Sequence, residues 1–324
     1  MQSPPVLKLR MKLSVIICTY NRSVILEKTL KSLEQVEVPR DVAWEVLIID
    51  NGSTDNTSEV VQRYIKNNKI PVFYFLEAAP GKSTALNLGI QKSRGEIIAF
   101  TDDDVLFDKN WVNAILNAVS KYPYSAFGGR IIALWGAPIP SWLSSDGRFN
   151  SLRGTVFFRD DGEVDREYNE TMMGVPCGAN MFFRREAIKS NGFFRTDLGP
   201  SHHVPGGSED TEFCSRMLKL GRKFMYVANA IIYHPVEAEK ISPRDLLRWR
   251  YYCAKSEVRA REFNNSMNRI CGVPRYLFRQ FISNFAIWLM SINSSKRFFF
   301  KLKTYYTCGE IIEHRSIYKG AISK

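Results

Sequence analysis

Residues 95–105, Gly-Glu-Ile-Ile-Ala-Phe-Thr-Asp-Asp-Asp-Val, constrain this chain more than any other stretch. Ile97 to Phe100 is a short apolar run, the pattern of a strand buried on both faces of a parallel sheet. It ends on three consecutive carboxylates, Asp102, Asp103 and Asp104. Like charges this close repel, and they stay ionised together only where a cation neutralises them or water screens them. In an open α/β sheet, ligands bind at the carboxyl ends of strands. Acidic oxygens there suit a hard divalent ion such as Mg or Mn, which in turn holds phosphate oxygens. A solvated acidic turn is the plainer alternative.

Upstream, Lys12 to Cys18 predicts a first buried strand running into the polar turn Thr19-Tyr20-Asn21-Arg22. Ser23 is placed to cap a helix whose Leu26, Leu30 and Leu33 recur at helical spacing. A second strand, Trp44 to Ile49, ends in Asp50-Asn51-Gly52-Ser53-Thr54-Asp55. A helix carrying Val60, Val61, Tyr64 and Ile65 follows, then a third strand at Val72 to Leu76. Pro80-Gly81-Lys82-Ser83 opens the next helix, and the acidic strand comes after it. Strand and helix thus alternate four times in about a hundred residues, the βαβ pattern of a parallel sheet with right-handed crossovers.

The polar clusters at Thr19 to Arg22, Asp50 to Asp55 and Asp102 to Asp104 all fall at strand carboxyl ends, so the fold gathers them along one edge. Gly81-Lys82-Ser83 is half of a phosphate loop, but the earlier glycine is missing, which excludes a nucleoside-triphosphatase loop. Lys82 at a helix start can approach a diphosphate, or remain a solvated lysine.

The ordered series Ser14-Val-Ile-Ile-Cys-Thr-Tyr-Asn21, Val46-Leu-Ile-Ile-Asp-Asn-Gly-Ser-Thr-Asp55, Gly81-Lys-Ser-Thr-Ala-Leu-Asn-Leu-Gly89 and Thr101-Asp-Asp-Asp104 resembles family 2 glycosyltransferases over about residues 12–236. The resemblance implies an α/β GT-A fold, a Rossmann-like, mostly parallel sheet with flanking helices. Its N-terminal half binds a nucleotide-diphosphate sugar through a divalent metal, Mn or Mg. By that resemblance Thr19, Tyr20 and Asn21 line the nucleotide pocket and Asp50 accepts a hydrogen bond from the base. Asn51, Gly52 and Lys82 join the same nucleotide-sugar-binding set. Asp102 meets the ribose or the metal, Asp103 belongs to the donor site, and Asp104 is the main metal ligand. The triple Asp stands where the family often has Asp-x-Asp, so the division of labour among the three stays open.

Ala126 to Leu134 predicts a strand, followed by a loop with Trp135 and Trp142, which either stack on sugar faces or anchor packing. Residues 146–171 are polar and suggest no role. Cys177-Gly178-Ala179-Asn180 precedes the strand Met181 to Phe183, and the resemblance places Gly178 beside the donor sugar. Gly206-Gly207-Ser208-Glu209-Asp210-Thr211-Glu212 leads into a helix with Phe213, Met217 and Leu220 inward and Gly221 as its stop. Ser208 is a candidate cap, and acidic residues in a first turn favour the positive dipole end. The resemblance adds Glu209 at the donor and Asp210 as catalytic base. Tyr226 to Tyr233 predicts a last strand, interrupted at Ala228-Asn229-Ala230 and ending at His234. In the GT-A fold this place commonly supplies a third metal ligand, and an imidazole favours Mn over Mg.

The net charge of +12 lies wholly in the last quarter: residues 1–239 hold 28 Lys+Arg and 28 Asp+Glu, whereas residues 240–324 hold 17 against 5. Such asymmetry points to an anionic surface, membrane or nucleic acid. Pro243 to Phe263 predicts a helix studded with arginines. Phe281 to Ile292 is apolar, but only 16 residues separate Arg279 from Lys296, short of the roughly 20 that span a bilayer. With the aromatics Phe298 to Phe300 beside lysines, this segment suits a membrane interface, or a helix packed on the catalytic domain. The six cysteines show no paired short spacing and no signal peptide is evident, so a reducing cytosol is expected.

The resulting expectation is a catalytic domain over residues 1–239, with a nucleotide-sugar half at about 12–125 and an acceptor half at about 126–239. A basic helical region follows over 240–324. The expected enzyme is an inverting glycosyltransferase at the inner face of the cell membrane, moving sugar from a nucleotide-sugar donor, UDP-linked, to a glycan or lipid-linked acceptor. A nucleotidyltransferase is the rival enzyme, although no triphosphate grip is present. A nucleic-acid-binding protein is the rival binder, but it leaves the strand-end carboxylates unexplained and lacks a recognised motif, so no nucleic-acid partner is expected.

Overall fold

The computed structural model describes residues 11–143, 148–151, 159–169, 174–202, 206–236, 241–261 and 268–322. It divides into two compact units. The first comprises residues up to Ile132 with Asp160–Phe194 and Phe213–His234; the second comprises Ala133–Arg159, Arg195–Glu212 and Pro235 onward.

The first unit is built on one sheet. β1 (Met11–Thr19), β2 (Ala43–Asp50), β3 (Val72–Leu76) and β4 (Ile97–Thr101) alternate with α1 (Ser23–Leu33), α2 (Thr57–Asn67) and α3 (Lys82–Lys92). β5 (Leu106–Phe107), α4 (Trp111–Lys121), β6 (Ala126–Trp135), β7 (Arg166–Glu167) and β8 (Asn180–Arg184) come next. α5 (Arg185–Asn191), α6 (Glu209–Lys219) and β9 (Phe224–Val236) follow. The strand order is β3-β2-β1-β4-β8-β6-β9-β5, with β7 also paired to β9. β1 runs parallel to β2 and β4, and β2 to β3. β8 pairs antiparallel with β4.

Side chains alternate across a strand, and the core follows that period. Val15, Ile17, Val46, Ile48, Ile97 and Ala99 pack with Leu26 and Leu30 of α1, Val60 and Val61 of α2, and Trp111 and Ile115 of α4. Their neighbours Ile16, Leu47, Ile49, Ile98 and Phe100 pack on the other face with Ala85, Leu86 and Ile90 of α3 and Phe213 and Met217 of α6. A Cβ at Gly89 would stand 2.6 Å from Ile16 Cγ2, so glycine lets α3 lie close on β1.

Three local expectations need correction. Ser23 is the first residue of α1 rather than its cap; Arg22 holds that place with no side-chain cap bond. Ser208 accepts the first bond of α6 through its carbonyl, from Glu212 N at 2.9 Å, but at φ +73° rather than in the extended form that a capping serine adopts. β9 is continuous through Ala228-Asn229-Ala230. There the alanines are buried and Asn229 is exposed, the ordinary alternation of a strand.

The second unit contains α7 (Pro243–Ala260), α8 (Arg275–Met290) and α9 (Ser294–Ile322). The expected end of α7 at Phe263 lies outside the described residues, as do parts of the polar stretch 146–171. α7 is capped by Ser242, whose hydroxyl accepts from Asp245 N at 3.0 Å, with Pro243 opening the helix. α9 packs along both α7 and α8, which scarcely touch each other. Trp135 and Trp142 are packing anchors on a cluster of Leu143, Val236, Leu246, Leu247, Phe298 and Leu302. The Trp142 and Phe298 rings meet edge-on at 4.4 Å between centroids. Phe298 is therefore a core residue of this unit and not part of an exposed aromatic face. Glu310 and Glu257 ion-pair with Arg261 at 3.1 and 3.0 Å, and Glu313 pairs with Arg259 and Lys255. Among the described residues no helix is long and apolar enough to cross a membrane.

Candidate active site

Four turns at the carboxyl edge of the sheet are tied together by side chains. The turn after β1 carries Thr19, buried; Tyr20, half-buried; and Asn21, exposed in the left-handed region at φ +51°. Asparagine tolerates that conformation better than most residues, and its side-chain oxygen here takes hydrogens from the turn after β2. Asn21 Oδ1 accepts from Thr54 N at 2.7 Å and Asp55 N at 3.3 Å, while Asn21 N donates to Ser53 Oγ at 2.8 Å.

Asp50 ends β2 and is 1% exposed. Its Oδ1 accepts from Ser53 N and its Oδ2 from the Tyr74 hydroxyl, each at 2.8 Å. Burial, and then the Asp50 carboxylate, pushes the Tyr74 phenol up to about 12. Asn51, also buried, carries the linkage onward. Its oxygen accepts from Gly81 N at 2.8 Å, and its amide nitrogen donates to the Glu77 and Ala79 carbonyls. Gly52 makes the turn between Asn51 and Ser53 at φ +81°. Gly81 leads into α3 and so to Lys82, whose Nζ lies 2.5 Å from Asp102 Oδ1.

The three carboxylates after β4 divide between two cations, Asp102 toward Lys82 and Asp103 and Asp104 toward Arg22. Asp102 meets Lys82, and Asp103 accepts from Arg22 Nη1 at 2.6 Å. Asp104 presents Oδ2 to the same Arg22 nitrogen at 3.1 Å and Oδ1 to His234 Nε2 at 3.5 Å. Burial would pull the Arg22 guanidinium down, yet Asp103 and Asp104 together hold it well above its ordinary value. Burial pushes the Asp103 carboxyl up against the pull of Arg22. Two side-chain cations thus answer the repulsion implied by three adjacent aspartates.

Asp104 and His234 form the one close carboxylate–imidazole pair of the expected metal set, while Asp102 is turned to Lys82. Among the described residues no group of three His, Cys, Asp or Glu side chains is arranged to hold a metal ion. A nitrogen and a carboxylate oxygen side by side fit Mn as a donor set better than Mg.

Gly178 precedes Asn180, which is completely buried and holds three elements together. Its Oδ1 accepts from the Trp111 indole at 3.0 Å, and its Nδ2 donates to the Arg130 and Ala230 carbonyls at 3.0 and 2.7 Å. Gly129 faces this amide, and a methyl group there would overlap both Asn180 and the Ala230 carbonyl. Glu209, buried, and Asp210, half-buried, open α6, of which only the residues up to Glu212 belong to the second unit. Asp210 Oδ1 accepts from Thr211 N at 2.7 Å.

Sequence reasoning named Arg22 only as part of a polar turn and did not single out Tyr74 or Ser53. The one available signal for Arg22 was its position beside Thr19-Tyr20-Asn21, in a chain with a triple aspartate to neutralise.

The description Glycosyl transferase family 2 matches residues 14–192. The chain is 27% identical over 244 residues to the succinoglycan biosynthesis protein ExoM of Rhizobium meliloti, covering 75% of this chain and 73% of ExoM. It is 25% identical over 224 residues to the glycosyltransferase AglE of Haloferax volcanii, covering 68% and 66%. A mannosyltransferase from Pyrobaculum calidifontis, solved with GDP-Man and Mn2+, superposes with a TM-score of 0.56 at 18% identity, covering 98% of this chain and 76% of that one. GalNAc-T7, solved with UDP, GalNAc and Mn2+, superposes at 0.54 and 19% identity, covering 72% and 45%. At these identities the structural likeness is one of fold.

Proposed function

This chain belongs to glycosyl transferase family 2, and on that premise we propose that it is an inverting, metal-dependent enzyme. It transfers a sugar from a UDP-linked donor to an acceptor hydroxyl in the synthesis of a cell-surface glycan. The relation to ExoM, a succinoglycan biosynthesis protein, and to a poly-β-1,6-N-acetyl-D-glucosamine synthase of Staphylococcus epidermidis, 27% identical over 188 residues, supports the glycan. The observation that carries the reading is the lacing of the Asn21, Asp50 and Gly81 turns to Asp102–Asp104 at one sheet edge.

In this reading Thr19, Tyr20, Asn21, Asp50, Asn51 and Gly52 form the nucleotide side of the site. Lys82, at the start of α3, turns from Asp102 toward the diphosphate when the donor binds. Asp104 and His234, with Asp102, would hold a divalent cation, which when bound supplies positive charge to the leaving diphosphate. Asp210 takes the proton from the acceptor hydroxyl. The acceptor oxygen then bonds to the anomeric carbon on the face opposite the nucleoside diphosphate, and the bond to the diphosphate oxygen breaks with its electron pair. Gly178 and Glu209 complete the donor-sugar surroundings. The basic C-terminal quarter holds the enzyme on an anionic membrane, with the exposed side chains of α8 in the interface.

The test is a panel of nucleotide sugars with Mn or Mg. Saturable binding and metal-dependent turnover of a UDP-sugar are expected. Binding of nucleoside triphosphates without any sugar nucleotide would favour the nucleotidyltransferase.

A further inference from the structure

α7 and α8 both pack on α9, and residues of the three helices line a groove of about 790 Å³ within the second unit. Its two walls differ in chemistry. Arg244 and Arg248 stand one turn apart on the α7 wall, and Phe281, Phe285 and Trp288 line the α8 wall. Lys301 rises from α9, with its Nζ 5.3 Å from the centre of the Trp288 ring. Among the described residues no carboxylate lines the groove. Arg244 and Arg248 are exposed, and neither meets an acidic side chain among the described residues. By contrast, Lys255 and Arg259 farther along α7, and Arg261 just after it, are ion-paired. Beyond the aromatic wall, α8 and the turn after it expose Ile282 at 66%, Leu289 at 58%, Met290 at 73% and Ile292 completely.

We propose that this groove binds one molecule of an anionic phospholipid, its phosphate on Arg244 and Arg248 and an acyl chain along Phe281, Phe285 and Trp288. A guanidinium pair matches phosphate oxygens in geometry as well as charge. The aromatic wall removes apolar chain surface from water, and aliphatic side chains left bare beside it favour a hydrocarbon neighbour over stacked bases. The inference deepens the membrane reading above and rests on it for the supply of lipid. It adds a saturable, stoichiometric site to what would otherwise be diffuse attraction between charges.

The test uses the full chain and dihexanoyl phosphatidylglycerol below its micelle concentration, with binding followed by calorimetry. One-site saturation is expected. R244A/R248A should weaken it about 30-fold, since two basic contacts near an anionic lipid contribute about 1 kcal/mol each. R315A/K319A removes the same charge outside the groove and should change it less than twofold. Equal losses from the two pairs, or no saturable binding, would overturn the site. Inorganic phosphate binding as tightly as the lipid would also overturn it, as would preference for a single-stranded oligonucleotide on the same two arginines. Because no membrane is present in this assay, failure to sediment with vesicles would count against surface attachment alone, and failure here against the groove alone.

Discussion

Arg22 Nη1 lies 2.6 Å from Asp103 Oδ1, joining a residue just before α1 to a carboxylate that burial alone would drive toward its neutral form. The same nitrogen reaches Asp104 at 3.1 Å, so one cation steadies two of the three aspartates after β4. Replacing Arg22 with alanine should destabilise the protein by about 2 kcal/mol. Removing one partner of a fully buried pair costs about 3–5 kcal/mol, and the Arg22 side chain is 39% exposed, which lowers the figure. Chemical denaturation measures the difference, and an unchanged midpoint would show that the pair is not formed.

Asp104→Ala should lower Mn-dependent donor affinity more than tenfold, because a hard cation loses an anionic oxygen. His234→Ala should do less and should weaken Mn more than Mg. Chelating the metal should stop turnover in the unaltered enzyme. Calorimetry showing normal metal and donor binding by Asp104→Ala would remove this residue from the metal site.

Asp210→Asn should keep donor affinity and lower turnover by about 100-fold or more, the range for loss of a general base. NMR of the product formed by the unaltered enzyme should show the anomeric configuration inverted. Retention of configuration would rule out the single-base mechanism.

Tyr74→Phe removes the hydroxyl that donates to buried Asp50 and should cost about 1–2 kcal/mol at neutral pH. Its pH dependence has a definite sign. The folded phenol titrates at about 12, against about 10 in an unfolded chain, so the native state holds this proton more tightly. The stabilisation is complete below pH 10 and is lost as the pH climbs through 12. Unfolding free energies of the two proteins should therefore converge over that window, and a gap that widens there would contradict the hydrogen bond.

Leu289→Ser with Ile292→Ser should reduce co-sedimentation with anionic vesicles tenfold or more, since each apolar side chain fully buried contributes about 1.5–3 kcal/mol. Both residues are largely exposed, so folding should be unaffected. Equal sedimentation of the double variant would leave the α8 face without a membrane role.

The strands of the first unit could be read because burial on both faces makes them continuous apolar runs: β3 has the expected limits, and β1, β2 and β4 extend theirs by one or two residues. The edge where the polar clusters meet was readable for the same reason, since the carboxyl ends of parallel strands must lie together. What linked the clusters was not. Arg22 and Asp103 are 81 positions apart, and no periodicity reports a contact between two turns. The gap predicted at Ala228-Asn229-Ala230 came from reading small residues as a break. They are instead where β9 comes close to Gly129 and Asn180. Phe298 was misread because lysines flank it, while α9 carries it inward onto Trp142.

The Asn180 amide has every hydrogen committed and no contact with solvent. Slow hydrolysis of that group to an acid, as a protein ages, would leave a side chain of nearly the same shape but with an oxygen aimed at two carbonyl oxygens. The damage would come from losing a pair of hydrogens rather than from any change of volume. Sealing the amide inside the sheet is what makes such a lesion severe, and the same seal keeps away the water that would cause it.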